Sequence, residues 1–502
     1  MTIYGVKWYN ILYVFNSVLF YIIVLKRCTA LSFSSPVFIF FFLPAVFILE
    51  RMIPGLKSKN IFLAAVSIVF LAFGQLSLVP LFLASVLINY ISGLLLIKMN
   101  NGRKAVLAGT VLLDIGMLAV FKYSDFIILN INSVFSSSLH LTGIALPLGI
   151  SFFTFQGISY VADTYRNREK GTGDFMDLLL FMSFFPQFIQ GPILRFEDFA
   201  PQIICRTVSP EKTVYGIRRF ITGLAKKVII SAAAAKVADS IFAMKGIVDW
   251  RLAWLGGICY AVQLYYDFSG YSDMAVGLAR IFGFGIIENF DYPYSASSVR
   301  NFWRRWHISL STWFRDYLYI PLGGSREGKG RKYLNRMIVF LCTGIWHGAN
   351  WTFIIWGLFQ GVLINLEDSG IIPVDRLEKN RFGRIFNRVY TLLAVMLLFV
   401  IFRAESISEA FRMIRSMFAF STSKDGWYLF SSLMPAATCV ILVTGLIFSG
   451  RFAPKLQKSW SDRENSSALA YYAGCLFSLL LFALCLMAMS RGGFTPFIYT
   501  QF

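Results

Sequence analysis

Long apolar runs recur along the whole chain and leave it few ways to fold. They lie near residues 8–25, 36–49, 61–73, 78–97, 105–121, 144–161, 175–194, 213–231, 252–268, 271–287, 337–365, 385–402, 431–449 and 468–489. A helix needs about 20 apolar residues to cross the hydrocarbon of a bilayer. Inside lipid, every backbone N–H and C=O must be satisfied within the protein. The runs therefore predict an all-α, polytopic transmembrane bundle of roughly ten to thirteen helices. The runs 36–49 and 61–73 are too short to cross alone and read as half-spans or tilted segments. The N-terminal run lacks a basic leader and an A-x-A site, so it reads as a retained first span rather than a signal peptide.

Composition excludes the alternatives. With 57% hydrophobic and 15% charged residues, the chain is too apolar to be disordered or an ordinary soluble enzyme. The net charge of +20 comes from Lys and Arg dispersed in loops between apolar runs. That distribution fits cytoplasmic loops of a membrane protein and not a nucleic-acid surface. The loops 50–60 (Arg51, Lys57, Lys59) and 98–104 (Lys98, Arg103, Lys104) flank a hairpin with the uncharged turn Gly74-Gln75-Leu76-Ser77, so both belong on the cytoplasmic side. The seven cysteines include no C-x-x-C and mostly sit in apolar runs, which predicts neither a disulfide framework nor a metal site. The chain reads as one membrane domain over 1–502: N-terminal helices 1–140, a core 141–365, a polar loop 366–384 and C-terminal helices 385–502.

The densest chemistry lies at 300–336, RNFWRRWHISLSTWFRDYLYIPLGGSREGKGRKYLNR. Nine basic residues there meet only Asp316 and Glu327, with Trp303, Trp306 and Trp313 interleaved. As a helix, 301–320 has no apolar stripe long enough to face lipid. It reads either as an interfacial anchor or as a basic mouth for an anionic donor, with Arg304 and Arg305 as its charges.

Only three histidines occur: His140, His307 and His347. His140 sits in a serine-rich loop and carries no assigned role. His307 and His347 each follow a Trp, in RRWH and GIWHGAN. Ionisable residues at membrane depth are costly and point to function. If one helix ends near 320 and the next begins near 332, the two histidines lie about 20 and 22 Å from the turn along antiparallel helices, at similar depth. Two histidines without a carboxylate or cysteine cluster make a poor metal site. A neutral imidazole suits general-base work near pH 7. With no nucleophile elbow in the sequence, direct transfer to an attacking hydroxyl is the economical chemistry.

RNFWRRWHISLSTWFRDYLYIPLGG followed by GIWHGANWTFIIWG resembles the membrane-bound O-acyltransferase superfamily, and within it the alginate O-acetyltransferase type of polysaccharide acylation protein. QLYYDFSGYSD at 263–273, Phe184-Phe185-Pro186-Gln187 with Gly191-Pro192, and Pro496-Phe497-Ile498-Tyr499 extend the likeness. The resemblance implies a helical fold with a tunnel or opposed funnels. It implies transfer of an acyl group, most simply acetyl, from a cytoplasmic thioester (acetyl-CoA or an acyl-carrier thioester) toward an extracytoplasmic polysaccharide in a bacterial cell membrane, with no bound cofactor. It implies separate extracytoplasmic acetyltransferase partners, with membrane lipids around the chain and no nucleic acid. His347 takes the family's catalytic position, with His307 assisting.

Trp303, Trp306, Trp346, Asn350, Gln187, Asp267 and Asp273 join Arg304 and Arg305 as candidate donor-binding or cavity-lining residues. For the two aspartates the plainer expectation is pairing with Arg from 300–305 or capping a break at Gly270. Gln187 and Gln190, between Pro186 and Pro192, predict a broken segment facing a cavity. D-alanyl transfer to teichoic acid and peptidoglycan O-acetylation remain open, as does a transporter. The polar motifs, however, concentrate in one central region rather than in paired repeats.

Overall fold

The computed structural model describes residues 31–246 and 248–492; the expected first span and the Pro496–Tyr499 motif lie outside them. The described residues form helices joined by turns, with no β-strand among them, as a chain with its backbone in lipid requires. Helices α1 (Leu56–Gln75) and α2 (Val79–Lys98) are joined by a single 3-10 turn at Leu76–Leu78, where the uncharged stretch lies. Lys57 approaches Asp174 to 4.0 Å, while Gly171 packs against Ile97. The two basic ends of the hairpin therefore share one face. Its turn lies opposite, where Gln75 Oε1 accepts from the Leu148 N–H at 3.4 Å. The positive-inside rule predicts that the Lys57 end faces the cytoplasm.

From that face α3 (Arg103–Phe135) runs the length of the bundle. It is anchored at its start by Arg103, which donates to the carbonyls of Thr164 and Tyr165. These belong to α4 (Ile150–Arg166), a helix running beside α2.

The centre is a pair of helices, α5 (Pro210–Ala225) and α6 (Trp250–Ile281). The runs 252–268 and 271–287 thus join into one helix through Gly270 rather than breaking there. A Cβ on Gly223 would fall 2.5 Å from the Gly270 carbonyl oxygen, and one on Gly216 2.5 Å from that of Gly277. Small residues let the two backbones touch.

Four stretches are long and apolar enough to cross a membrane by length and composition: Leu56–Lys98, Arg103–Phe135, Arg381–Arg403 and Ala468–Arg491. Lys424–Leu433 with Ala436–Phe448, bent by 74°, makes a fifth if counted as one span. Fewer helices pass this test than there are apolar runs. Several runs are interrupted, and α6 carries Gln263, Asp267 and Asp273 buried against protein instead of lipid.

Candidate active site

The stretch 301–320 is not one helix. It divides into α7 (Val299–Trp303) and α8 (Ile308–Phe314), followed by a π-helical turn at Arg315–Tyr319. His307 lies at the break, in the left-handed conformation at φ 45° and ψ 55°. A β-carbon disfavours this region, and residues held in it cluster at functional sites. The break is held from both sides. Glu367 accepts from the first N–H groups of α7, Val299 at 2.7 Å and Arg300 at 2.9 Å. Asn289 accepts from Ile308 N–H through its carbonyl at 3.0 Å.

Asn289 also fixes the His307 ring. Its Oδ1 accepts the backbone N–H of Ser309 at 3.2 Å and the Ser309 hydroxyl at 2.9 Å. A backbone N–H can only donate, so the atom facing it is the oxygen and not the amide nitrogen. The same oxygen lies 3.1 Å from His307 Nδ1. That contact is a hydrogen bond only if Nδ1 carries the proton. Neutral His307 therefore has a bare Nε2, which is buried and has no hydrogen-bond partner among the described residues.

His347 is the last residue of α9 (Gly328–His347), which starts on the basic face and is followed by α10 (Trp351–Ser369). The two helices pack closely: a Cβ on Gly344 would sit 2.4 Å from the Phe353 carbonyl oxygen, and one on Gly357 2.4 Å from that of Phe340. The glycines of the WHG region thus serve helix packing. The imidazole of His347, 4% exposed, is ringed edge to face by Trp346, Trp356 and Phe402 at centroid distances of 5.0, 5.0 and 5.1 Å. Trp346 also touches His307, at 6.0 Å, so both imidazoles flank one indole. The indole N–H groups of Trp346 and Trp356 are buried without a hydrogen-bond partner among the described residues, and a polar substrate could satisfy them.

A cavity of about 90 Å³ reaches His347 from the face opposite the basic loops. It is walled by Lys122, the segment 146–152, Ile189 and Trp346. Among the described residues no three metal-ligating side chains converge.

Residues 168–402 match the family model described as "MBOAT, membrane-bound O-acyltransferase family". The probable alginate O-acetylase AlgI of Azotobacter vinelandii is 38% identical over 94% of this chain and the whole of that protein. The chain belongs to the membrane-bound O-acyltransferase family. It is an O-acyltransferase of the alginate O-acetylase type. Other members are also similar: the peptidoglycan O-acetyltransferase of Helicobacter pylori is 34% identical over 79% of the chain and 81% of its own length. The teichoic acid D-alanyltransferase of Bacillus subtilis is 29% identical over 50% of the chain and 65% of its own length.

In this acyltransferase the remaining candidate residues divide. Trp303 donates its indole N–H to Gln360 Oε1 at 3.0 Å and packs on Trp356 at 5.7 Å, one ring away from His347. Trp306 is buried among Phe290, Phe302 and Phe399 as core. Arg304 is exposed, whereas Arg305 pairs with Asp291 at 2.7 Å. Asn350 is the N-cap of α10: its Oδ1 accepts Thr352 N–H at 3.0 Å, and its Nδ2 donates to the Glu405 carbonyl at 2.9 Å.

Asp267 and Asp273 do not pair with the 300–305 arginines. Asp267 binds Lys227, while Asp273 binds Arg219 and Lys226, each at 2.6 Å. The close α5–α6 crossing brings these cations nearer than any on α7. Around Gln187 the chain leaves the helical path after Ser183 and remains buried. Gln187 Nε2 donates to the Phe181 carbonyl at 2.8 Å, and Gln190 has no hydrogen-bond partner for either amide atom among the described residues. The neighbouring Ile189 lines the cavity.

Asn289 and Lys122 are absent from the sequence-derived candidates. Asn289 lies in a polar loop without a motif. Lys122 had a signal: it is a lone charge just past an apolar run, at a depth where ionisable residues are costly.

Proposed function

We propose that this protein takes an acetyl group from a cytoplasmic thioester, acetyl-CoA or an acyl-carrier thioester, and delivers it to a hydroxyl on the far side of a bacterial cell membrane, for O-acetylation of a polysaccharide. His347 is the base. The observation that carries this reading is the pair of buried imidazoles on one indole, with His347 open to the cavity opposite the basic face. The donor approaches from the basic face, where Arg304 is exposed to meet its anionic part. The acceptor hydroxyl enters the cavity. Its oxygen attacks the thioester carbonyl carbon as His347 takes its proton. A C–O bond forms and the carbonyl pair moves onto oxygen. Collapse of that oxyanion breaks the C–S bond, and the departing thiolate receives the proton from the imidazolium. His307 assists from the other side of Trp346, its bare Nε2 available as a hydrogen-bond acceptor.

The final acceptor is the polymer itself or a separate extracytoplasmic acetyltransferase that receives the group first. Acetyl transfer is favoured over D-alanyl transfer because likeness to the acetylating relatives extends over far more of the chain. In cells making the polymer, His347→Ala at wild-type membrane level is expected to lower ester-linked acetyl by about 10²–10⁴, the usual worth of one positioned base. Near-normal acetylation would remove His347 from the mechanism.

A further inference from the structure

Lys122 is 19 residues into α3 from Arg103, about 28 Å from the basic face. His347 is equally far along α9 from Gly328. The two meet: Lys122 Nζ donates to the carbonyl oxygens of Trp346 at 2.6 Å and His347 at 3.1 Å. Beside it the Tyr123 hydroxyl donates to the Ile345 carbonyl. Side chains of α3 thus satisfy the final carbonyls of α9, a common use of lysine near a helix C-terminus.

That use accounts for only two of the three N–H groups of an ammonium. Lys122 has no carboxylate within ion-pair distance among the described residues, and it lines the same cavity as His347. Across that cavity lie Gly149, Ile150 and Ser151, the N-terminal start of the 17-residue α4. At this helix start Ile150 N–H is taken by the Pro147 carbonyl and Phe152 N–H by that of Gly149. Ser151 N–H has no hydrogen-bond partner among the described residues and lies at the positive end of the helix dipole. No Asp or Glu lines the cavity. A cation held only by the carbonyl end of α9 and a helix N-terminus thus face one small, largely apolar space that no carboxylate lines.

We propose that Lys122 is a catalytic residue whose third N–H holds the oxyanion formed when the acceptor attacks the acyl carbonyl. This rests on the acyl-transfer reading above. As the new C–O bond forms, the carbonyl pair becomes a full negative charge on oxygen. A fixed donor in a dry site favours that charge more than it favours the neutral carbonyl. The same two carbonyl contacts that hold Lys122 hold the His347 backbone, so donor and base keep one geometry.

The test compares Lys122→Gln, Lys122→Arg and His347→Ala in cells making the acetylated polymer. Ester-linked acetyl released by mild alkali is measured over time, together with membrane level and thermal stability of each purified variant. Glutamine can still donate to the α9 carbonyls but carries no charge, whereas arginine keeps both charge and several donors. The expected result is a fall of about 10²–10³ for Lys122→Gln at unchanged thermal stability, the usual worth of one oxyanion donor. Lys122→Arg is expected to recover most of the rate. If Lys122→Gln stays within tenfold of wild type while His347→Ala is inactive, the lysine is a helix cap and the oxyanion role is overturned, with the acyl-transfer reading intact. If His347→Ala acetylates normally, both fall.

Discussion

Asn289→Ala tests whether the orientation of the His307 ring matters to the reaction. Asn289 is fully buried, and its Oδ1 holds His307 Nδ1, the Ser309 N–H and the Ser309 hydroxyl. Alanine strands two buried N–H donors, since the hydroxyl can turn elsewhere. Each costs about 1–3 kcal/mol, so a stability loss of about 2–6 kcal/mol is the upper range. Loss of the Nδ1 acceptor also removes the preference for a bare Nε2. Without that acceptor the two neutral tautomers become comparable in energy, so the competent one falls to about half and the rate by about twofold from this cause alone. The assay is acetyl incorporation in cells at matched membrane level, run as a cycle with His307→Ala. If Asn289 acts through His307, adding Asn289→Ala to His307→Ala changes nothing further, because the interaction is already gone. An Asn289→Ala protein that is folded and fully active, or one whose loss multiplies with that of His307→Ala, refutes the tautomer argument.

His307→Ala and His347→Ala are expected to be non-additive, the double variant being little worse than the worse single one, because groups acting as a unit share one loss; multiplicative losses would separate the two residues. Arg304→Gln is expected to raise the KM for acetyl-CoA more than Arg305→Gln does, since Arg305 is engaged by Asp291 and Arg304 is exposed; equal effects measured in proteoliposomes would contradict this. Gly223→Ala is expected to cost about 1–3 kcal/mol by overpacking, since its Cβ would stand 2.5 Å from a main-chain oxygen; an unchanged melting temperature in detergent would argue against a tight α5–α6 contact.

The parts legible in sequence were those set by length and by charge placement. The hairpin at 56–98 followed from two basic loops around an uncharged turn, and contacts at Asp174 and Gly171 place its ends together. Similar depth for His307 and His347 was expected, but through the wrong intermediate; the indole they share was not foreseen, and of the two only His347 lines the cavity. A continuous helix over 301–320 was expected, and nothing local in RRWH signals a left-handed histidine. That conformation is imposed by Asn289 and Glu367, which arrive from distant segments. The partners of Asp267 and Asp273 were misjudged for a similar reason. Charge proximity in the chain pointed to α7, while the glycine contact between α5 and α6 decided the matter. Lys122 stands one residue beyond the apolar run 105–121, and its depth shows only in a helix that continues to Phe135.

The glycine seam also bears on how an acyl group can get across. Gly216 with Gly277 and Gly223 with Gly270 put main chain against main chain, and the salt bridges of Lys227, Lys226 and Arg219 rivet the same two helices. A carrier that rocks between inward- and outward-open forms needs its halves to repack against each other. Here any sliding drives carbonyl oxygens into neighbouring backbone and shears buried ion pairs. The α5–α6 pair is therefore built to stay fixed. On the proposed function, the cargo crosses by changing its covalent attachment midway, and the thioester's own free energy, rather than a motion of these two helices, drives the passage.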